Sequence, residues 1–156
     1  SQYYKKKIHF KKPNDLLIQK KKICGILQEK VNKFINNYLI VGIGVNLIKS
    51  PLRTTFPSSN IYDETNIKID PYKFLIELNK NIVKKIDYWN YGLNYKAILE
   101  QWIEKAYLLN KEISVTLPNG KKEKGIFSSI DNEGGLILST KKSDKVFYAA
   151  EIFEGL

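Results

Sequence analysis

Lys11-Lys12-Pro13-Asn14-Asp15, Lys20-Lys21-Lys22-Ile23-Cys24-Gly25-Ile26-Leu27 and Gly42-Ile43-Gly44-Val45-Asn46 follow one another near the start of the chain. Their reading decides the fold of the first third. Pro13 has no N–H to give a sheet and pushes the residue before it towards extended backbone. Tyr4 to Lys11 therefore reads as a strand that stops at a turn made by Asn14 and Asp15. Leu16-Leu17-Ile18 make a short strand, Lys20 and Lys21 occupy a hairpin turn, and Ile23 to Glu29 return. Val31 to Asn37 is polar and turn-like. Tyr38 to Val45 is strongly apolar and predicts a further strand. Consecutive strands with short connections predict an antiparallel sheet.

The pattern then changes twice. Ile48 to Asp70 holds Pro51, Pro57 and many polar residues, a long connection of the kind that often carries function. Asp70-Pro71 is a helix start, with Asp as N-cap and Pro at the first helical position. Phe74, Leu75, Leu78, Ile82, Val83 and Ile86 follow at helical spacing, so one face is expected to pack on the sheet, up to Gly92. Tyr95 to Leu108 predicts a second helix, with Ile98, Leu99, Trp102 and Ala106 on one face. From Glu112 the period is two: Glu112 to Leu117, a Pro118-Asn119-Gly120 hairpin, Lys124 to Asp131, a turn at Asn132 to Gly135, Leu136 to Leu138, and Lys145 to Phe153. Such closely spaced short strands predict a small antiparallel barrel. The predicted class is α+β: an antiparallel or mixed sheet packed by helices, then a small SH3-like barrel, with the boundary near Leu109.

The 156 residues suit one medium domain or two small ones. No apolar run is long enough to span a membrane, and no secretory leader opens the chain. The single cysteine, Cys24, excludes an internal disulfide and fits a reducing, cytoplasmic compartment. The chain begins at Ser1 and contains no methionine, so a trimmed terminus or a piece of a longer protein is expected. The net charge of +10 invites a nucleic-acid reading, but 25 of the 26 basic residues are lysine and only Arg53 is arginine. Nucleic-acid surfaces usually draw on the planar fork of Arg, so a solvated lysine surface is the simpler account.

Each of the three opening stretches carries a functional reading beside a plainer one. Asn14 and Asp15 form an ordinary turn, or present an amide and a carboxylate to a cleft. Strict alternation puts Lys22 on the face of Cys24 and Ile26, at the rim of a buried surface, where its ammonium can hold a carboxylate or phosphate. Gly42 and Gly44 lack the third glycine and the following helix of a dinucleotide fingerprint. Glycines at alternate strand positions clear one face, either for a flat ligand or for a packed helix. Asn46, at the strand end, can pair with a base edge. His9 has no triad or ligand partner, Cys24 reads as a buried small hydrophobe, and there is no metal-ligand spacing.

Order and spacing together resemble the biotin protein ligases. The family pattern is a Lys-Trp-Pro-Asn-Asp turn, a Lys-x-x-Gly-Ile-Leu strand, a Gly-x-Gly-x-Asn strand, helices and a terminal SH3-like barrel. The resemblance covers nearly the whole chain. It implies a partial catalytic domain over residues 1–109 and a C-terminal domain over 110–156. It implies ATP-dependent formation of biotinyl-AMP and transfer of biotin to a lysine of a carboxyl carrier domain, with ATP, biotin and Mg²⁺ engaged. Lys22 would hold the biotin carboxylate and the adenylate phosphate, and Asp15 would orient or deprotonate the incoming amine. Asn14, Gly25, Ile26, Leu27, Gly42 and Ile43 would surround biotin, with Gly44 and Asn46 near the nucleotide. A homodimer is left open.

The chain departs from the pattern in places. Lys12 stands for the Trp, which predicts looser packing beneath the turn. Ala149-Ala150 stands where the family has a glycine. The family's glycine- and arginine-rich loop, and its Ser/Thr and Gln ligands to the biotin ring, lie upstream of the Pro-Asn-Asp turn and have no counterpart here. These 156 residues alone are therefore expected to be a poor ligase or an inactive one. Two other readings remain beside the ligase: a basic SH3-like module that binds nucleic acid or protein, and a relative of the lipoate ligases.

Overall fold

A computed structural model of the protein describes residues 7–33, 36–117, 120–148 and 151–154. The Pro118-Asn119 part of one expected turn, Ala149-Ala150 and the start of the first expected strand lie outside them. The chain forms two compact units: residues 14–74 with 1–9, and residues 75–156 with 10–13.

The first sheet has the order β1 (Ile8–Lys11), β2 (Asp15–Ile18), β3 (Lys21–Lys33), β4 (Asn36–Val45). Gln19 and Lys20, both at positive φ, make the two-residue turn between β2 and β3, one position earlier than the sequence suggested. Such turns match the right-handed twist of the flanking strands. In the polar stretch 31–37, of which 34–35 lie outside the described residues, 31–33 and 36–37 differ from expectation more, being strand. The β3–β4 ladder runs unbroken from Cys24↔Val45 to Lys33↔Asn36. Leu27, Leu39, Ile40 and Val41 on this ribbon are exposed, and a ribbon uncovered on both faces needs no apolar alternation to be a strand.

The long connection is not structureless either. Main chain at Pro57 to Ser59 forms a parallel bridge with Lys22. A short helix, α1 (Ile61–Thr65), follows, with Asn60 Oδ1 accepting from the Asp63 N–H at 2.8 Å. Ile18, Ile23 and Cys24 are buried, with Leu16, Ile26, Ile43, Val45 and Ile61 against them.

The helix α2 (Pro71–Trp89) begins where Asp70 and Pro71 predict, and Asp70 Oδ1 caps the Lys73 N–H at 2.8 Å. Its apolar stripe does not pack as expected. No residue of α2 is buried, and Leu75, Val83 and Ile86 are at least half exposed. Helical periodicity tells which face is apolar but not what covers it. After a 3₁₀ turn at Asn90–Gly92, helix α3 (Tyr95–Ile103) is shorter than expected. Glu104 is its C-cap, and the Lys105 and Ala106 N–H groups bond only three residues back, to Trp102 and Ile103, in a tighter turn.

The second sheet is antiparallel, in the order β8 (Asp144–Phe147), β7 (Leu136–Ser139), β6 (Lys122–Ile130), β5 (Glu112–Thr116), β9 (Glu151–Glu154). A register shift between Phe127 and Ser129 bends β6. Phe127, Ile113, Val115, Leu138 and Ile152 are fully buried, and Leu99, Trp102 and Ile103 of α3 pack on them. Lys12 does not leave a gap where the family has Trp. It is half-buried, its ammonium donates to the Gly134 carbonyl, and it lies 5.9 Å from the Trp102 ring centroid.

Candidate functional site

The site residues read from the sequence gather on the β2–β3–β4 part of the first sheet. Their arrangement starts from one irregularity. Asp15 pairs with Gly25 and Leu16 with Cys24, but Leu17 pairs with Lys22. The extra residue, Ile23, shifts the alternation by one. Lys22 therefore shares the face of Leu17, Asp15 and Gly25, not that of Cys24 and Ile26 as strict alternation requires. On this face Lys22 Nζ lies 2.6 Å from Asp15 Oδ1, with side-chain exposures of 38% and 10%.

Gly25 gives the ion pair room. A Cβ there would stand 3.2 Å from both Cε and Nζ of Lys22 and 3.6 Å from Asp15 Oδ1. The lysine stem lies across the bare backbone.

The face continues as a strip without side chains. Gly25 pairs with Gly44 and Leu27 with Gly42. A Cβ on Gly44 would meet only the Gly25 carbonyl at 3.9 Å, and one on Gly42 only Leu27 at 3.9 Å. The glycines thus make room for no packed helix among the described residues; they leave open space. Leu27, 69% exposed, borders the far end. Ile26 and Ile43 pair with each other on the opposite face, against the buried cluster, so at the strip they offer main chain only.

Asn14 and Asn46 both hold main chain. Asn14 Nδ2 donates to the Ile26 carbonyl at 2.6 Å, while the Ile26 N–H donates to the Asn14 carbonyl at 2.9 Å. This extends the β2–β3 pairing past Asp15. Asn46 Nδ2 donates to the Ser59 carbonyl at 2.9 Å. A role towards a nucleotide or a cation would fall to its Oδ1. Cys24, on the core face, has its thiol pKa pushed up by burial and by the nearby Asp15 carboxylate, with Lys22 acting the other way. Burial and the raised pKa fit the reading of Cys24 as a small core hydrophobe. Among the described residues, no group of three His, Cys, Asp or Glu side chains is placed to hold a metal ion.

The sequence reading missed the layer behind the site. Glu64, on α1, is 4% exposed and accepts from Lys21 Nζ at 2.9 Å and from Ser59 Oγ at 2.7 Å. The signal for α1 was present in Asn60-x-x-Asp63, a capping pattern; nothing local marked Glu64 as Lys21's partner.

A lysine–carboxylate pair beside a glycine-cleared strip, on a sheet followed by helices and an antiparallel β unit, defines a class. Residues 2–46 match the model of the Biotin/lipoate A/B protein ligase family. Residues 108–155 match that of the Biotin protein ligase C terminal domain, so the two models take in both ends of the chain. It is 31% identical to a biotin--[acetyl-CoA-carboxylase] ligase of Paracoccus denitrificans, over 96% of this chain and 64% of that protein. The apo structure of the biotin protein ligase of Aquifex aeolicus superposes with a TM-score of 0.82 at 23% identity, covering 95% of this chain and 66% of that one. The same enzyme in complex with biotin and ATP gives 0.78 at 24% identity, with 94% and 61% covered. The chain thus spans less than two thirds of the length of each of these relatives.

Proposed function

We propose that the chain carries the lysine–carboxylate side of a biotin-activating site. The observation that carries this reading is the Lys22 ammonium beside the strip of Gly25, Gly44 and Gly42. In the proposed reaction a biotin carboxylate oxygen attacks the α-phosphorus of ATP, forming biotinyl-AMP as pyrophosphate leaves. The amine of a carrier-domain lysine then attacks the acyl carbon. AMP leaves and the amine loses a proton. Attack at phosphorus needs positioning and charge neutralisation more than covalent help. Lys22 would supply both, exchanging Asp15 for the carboxylate or phosphate of the ligand. Asp15, so released, becomes an acceptor for the amine. The strip admits the flat ring system against backbone, with Leu27 at its end.

Mg²⁺ would be held chiefly by the nucleotide phosphates. The described residues offer no all-protein cage, and Mg²⁺ seldom needs one. Asn46 Oδ1 is the protein atom we assign to that neighbourhood. The match of residues 108–155 favours biotin over lipoate. The same stretch supports a domain boundary near Leu109. The carrier partner and a cytoplasmic setting belong to this reading; among the described residues no helix is long and apolar enough to cross a membrane.

The test is biotin-dependent exchange of pyrophosphate into ATP by the full-length gene product. Exchange that is lost in Lys22→Ala supports the reading. Near-normal exchange in Lys22→Ala rejects the role given to Lys22, and no exchange by the wild type rejects the reaction.

A further inference from the structure

Glu64 has no part in the chemistry above, yet it is a carboxylate 4% exposed. A buried carboxylate is costly unless it is paired and hydrogen-bonded. Among its partners, Lys21 and Ser59 both adjoin Lys22. Lys21 precedes it in β3. Ser59 N–H donates to the Lys22 carbonyl at 2.9 Å, and the Lys22 N–H donates to the Pro57 carbonyl at 2.8 Å. Asn46 joins the same segment: its side chain holds the Ser59 carbonyl, and its own carbonyl accepts from the Ile61 N–H at 2.8 Å. Residues 57–61 thus strap the main chain of Lys22 and Asn46, and Glu64 pegs the strap.

Lys21 and Lys22, adjacent in β3, face opposite sides of the sheet, each towards its own carboxylate. Lys21 is drawn to Glu64 and Lys22 to Asp15, so one defined lysine is presented on the glycine strip.

We propose that Glu64 is a positioning residue: through Ser59 and Lys21 it fixes Lys22, and with it Asn46, for the anionic end of the ligand. This rests on the ligase reading. Removing Glu64 loosens the strap and, with it, the main chain that carries Lys22 and Asn46. Misplacement of about 1 Å can cost about 10²-fold in rate.

The test uses the full-length gene product and a sulfamoyl analogue of biotinyl-AMP. Glu64→Gln keeps the shape and the Ser59 bond but loses the ion pair. It should weaken analogue binding and slow pyrophosphate exchange by about 10- to 10²-fold, and Glu64→Asp should recover part of the loss. In a Lys22→Ala background, Glu64→Gln should change analogue binding by less than about twofold, because coupled residues are non-additive. An equal loss in both backgrounds, or no loss beside an intact Lys22, overturns the proposal. If Glu64→Gln does not fold, Lys21→Gln removes the same pair from its more exposed end and is read in the same way. If the wild type binds no analogue, the ligase reading fails. The strap is then judged by amide hydrogen exchange: faster exchange at Ser59 in Glu64→Gln supports it, and unchanged exchange overturns it.

Discussion

Lys22 Nζ lies 2.6 Å from Asp15 Oδ1, its stem laid close across Gly25, which has no side chain. The ammonium is 38% exposed while the carboxylate is nearly buried. Gly25→Ala places a methyl at 3.2 Å from Cε and Nζ, closer than those atoms tolerate without moving. The lysine is flexible, so the fold survives and the ammonium moves by a few tenths of an ångström. Gly25→Val displaces it further. Biotin-dependent pyrophosphate exchange should fall in the order wild type, Ala, Val, by about tenfold or more for Val, with unfolding still cooperative. Equal activity of all three would show that the position of Lys22 is irrelevant.

Breaking the pair should cost stability as well, but modestly. A fully buried ion pair loses about 3–5 kcal/mol when one partner goes. Lys22 is over a third exposed, so solvent already screens the pair, and a value nearer 1 kcal/mol is expected for Lys22→Met. Denaturant unfolding of the two proteins measures the difference. A loss above about 3 kcal/mol would place Lys22 among structural rather than ligand-directed lysines.

Cys24 supplies a test of the core face. It is 3% exposed, and burial, then Asp15, push its thiol pKa above the ordinary value of 9.0. Only the thiolate is an effective nucleophile. Alkylation by iodoacetamide at pH 8 should be slow in the native protein and become fast in denaturant. Rapid native alkylation would mean that the sheet opens at Cys24.

Much of this was readable because it is local. The Pro13 turn, the Asp70-Pro71 helix start, the period-two run after Glu112 and the alternating Gly42 and Gly44 each follow from residue chemistry within a few positions. The face of Lys22 did not follow, because a bulge opposite Leu16 and Leu17 is a property of two strands and not of one. The strand residues 31–33 and 36–37 were hidden because an exposed ribbon leaves no apolar signature. The Lys21–Glu64 pair was hidden by 43 residues of separation. The stripe on α2 was legible as apolar, but its exposure was not, since no sequence period reports what lies opposite.

Gly125 fixes how closely β6 and β7 pack. A Cβ there would lie 2.5 Å from the Ser139 carbonyl oxygen and 2.9 Å from Leu138 Cγ. Backbone on the neighbouring strand cannot step aside as a lysine can. Gly125→Ala should therefore destabilise the protein by about 1–3 kcal/mol, the cost of overpacking. Phe127→Ala, which empties a fully buried site two residues on, should cost about 3–5 kcal/mol. Thermal unfolding ranks the two. A neutral Gly125→Ala would mean that β7 is free to shift.

The turn between β6 and β7 should show its own pH dependence. Tyr148 Oη donates to Asp131 Oδ2 at 2.7 Å, and Asp131 Oδ1 accepts from the N–H groups of Glu133 and Gly135 at 2.9 and 2.7 Å. The bond to Tyr148 is the largest of the effects that lower the Asp131 pKa, and the same bond pushes the Tyr148 pKa up to about 12. The signs are opposite. A phenol whose pKa is raised on folding stabilises below its unfolded value of 10.0, and loses that contribution as pH climbs through about 12. A carboxyl whose pKa is lowered stabilises above its unfolded value of 3.8, and loses that contribution as pH falls below it. Lys12, whose pKa is lowered mainly by burial, titrates in the alkaline range with the opposite sense. The measurement is therefore a difference between wild type and Tyr148→Phe, in which Lys12 largely cancels. The stability gap should be flat between those two unfolded values and close on either side. Spectrophotometric titration of Asp131→Asn should bring one tyrosine from about 12 back towards 10.0. An unchanged tyrosine titration would show that the Tyr148–Asp131 bond does not form in solution.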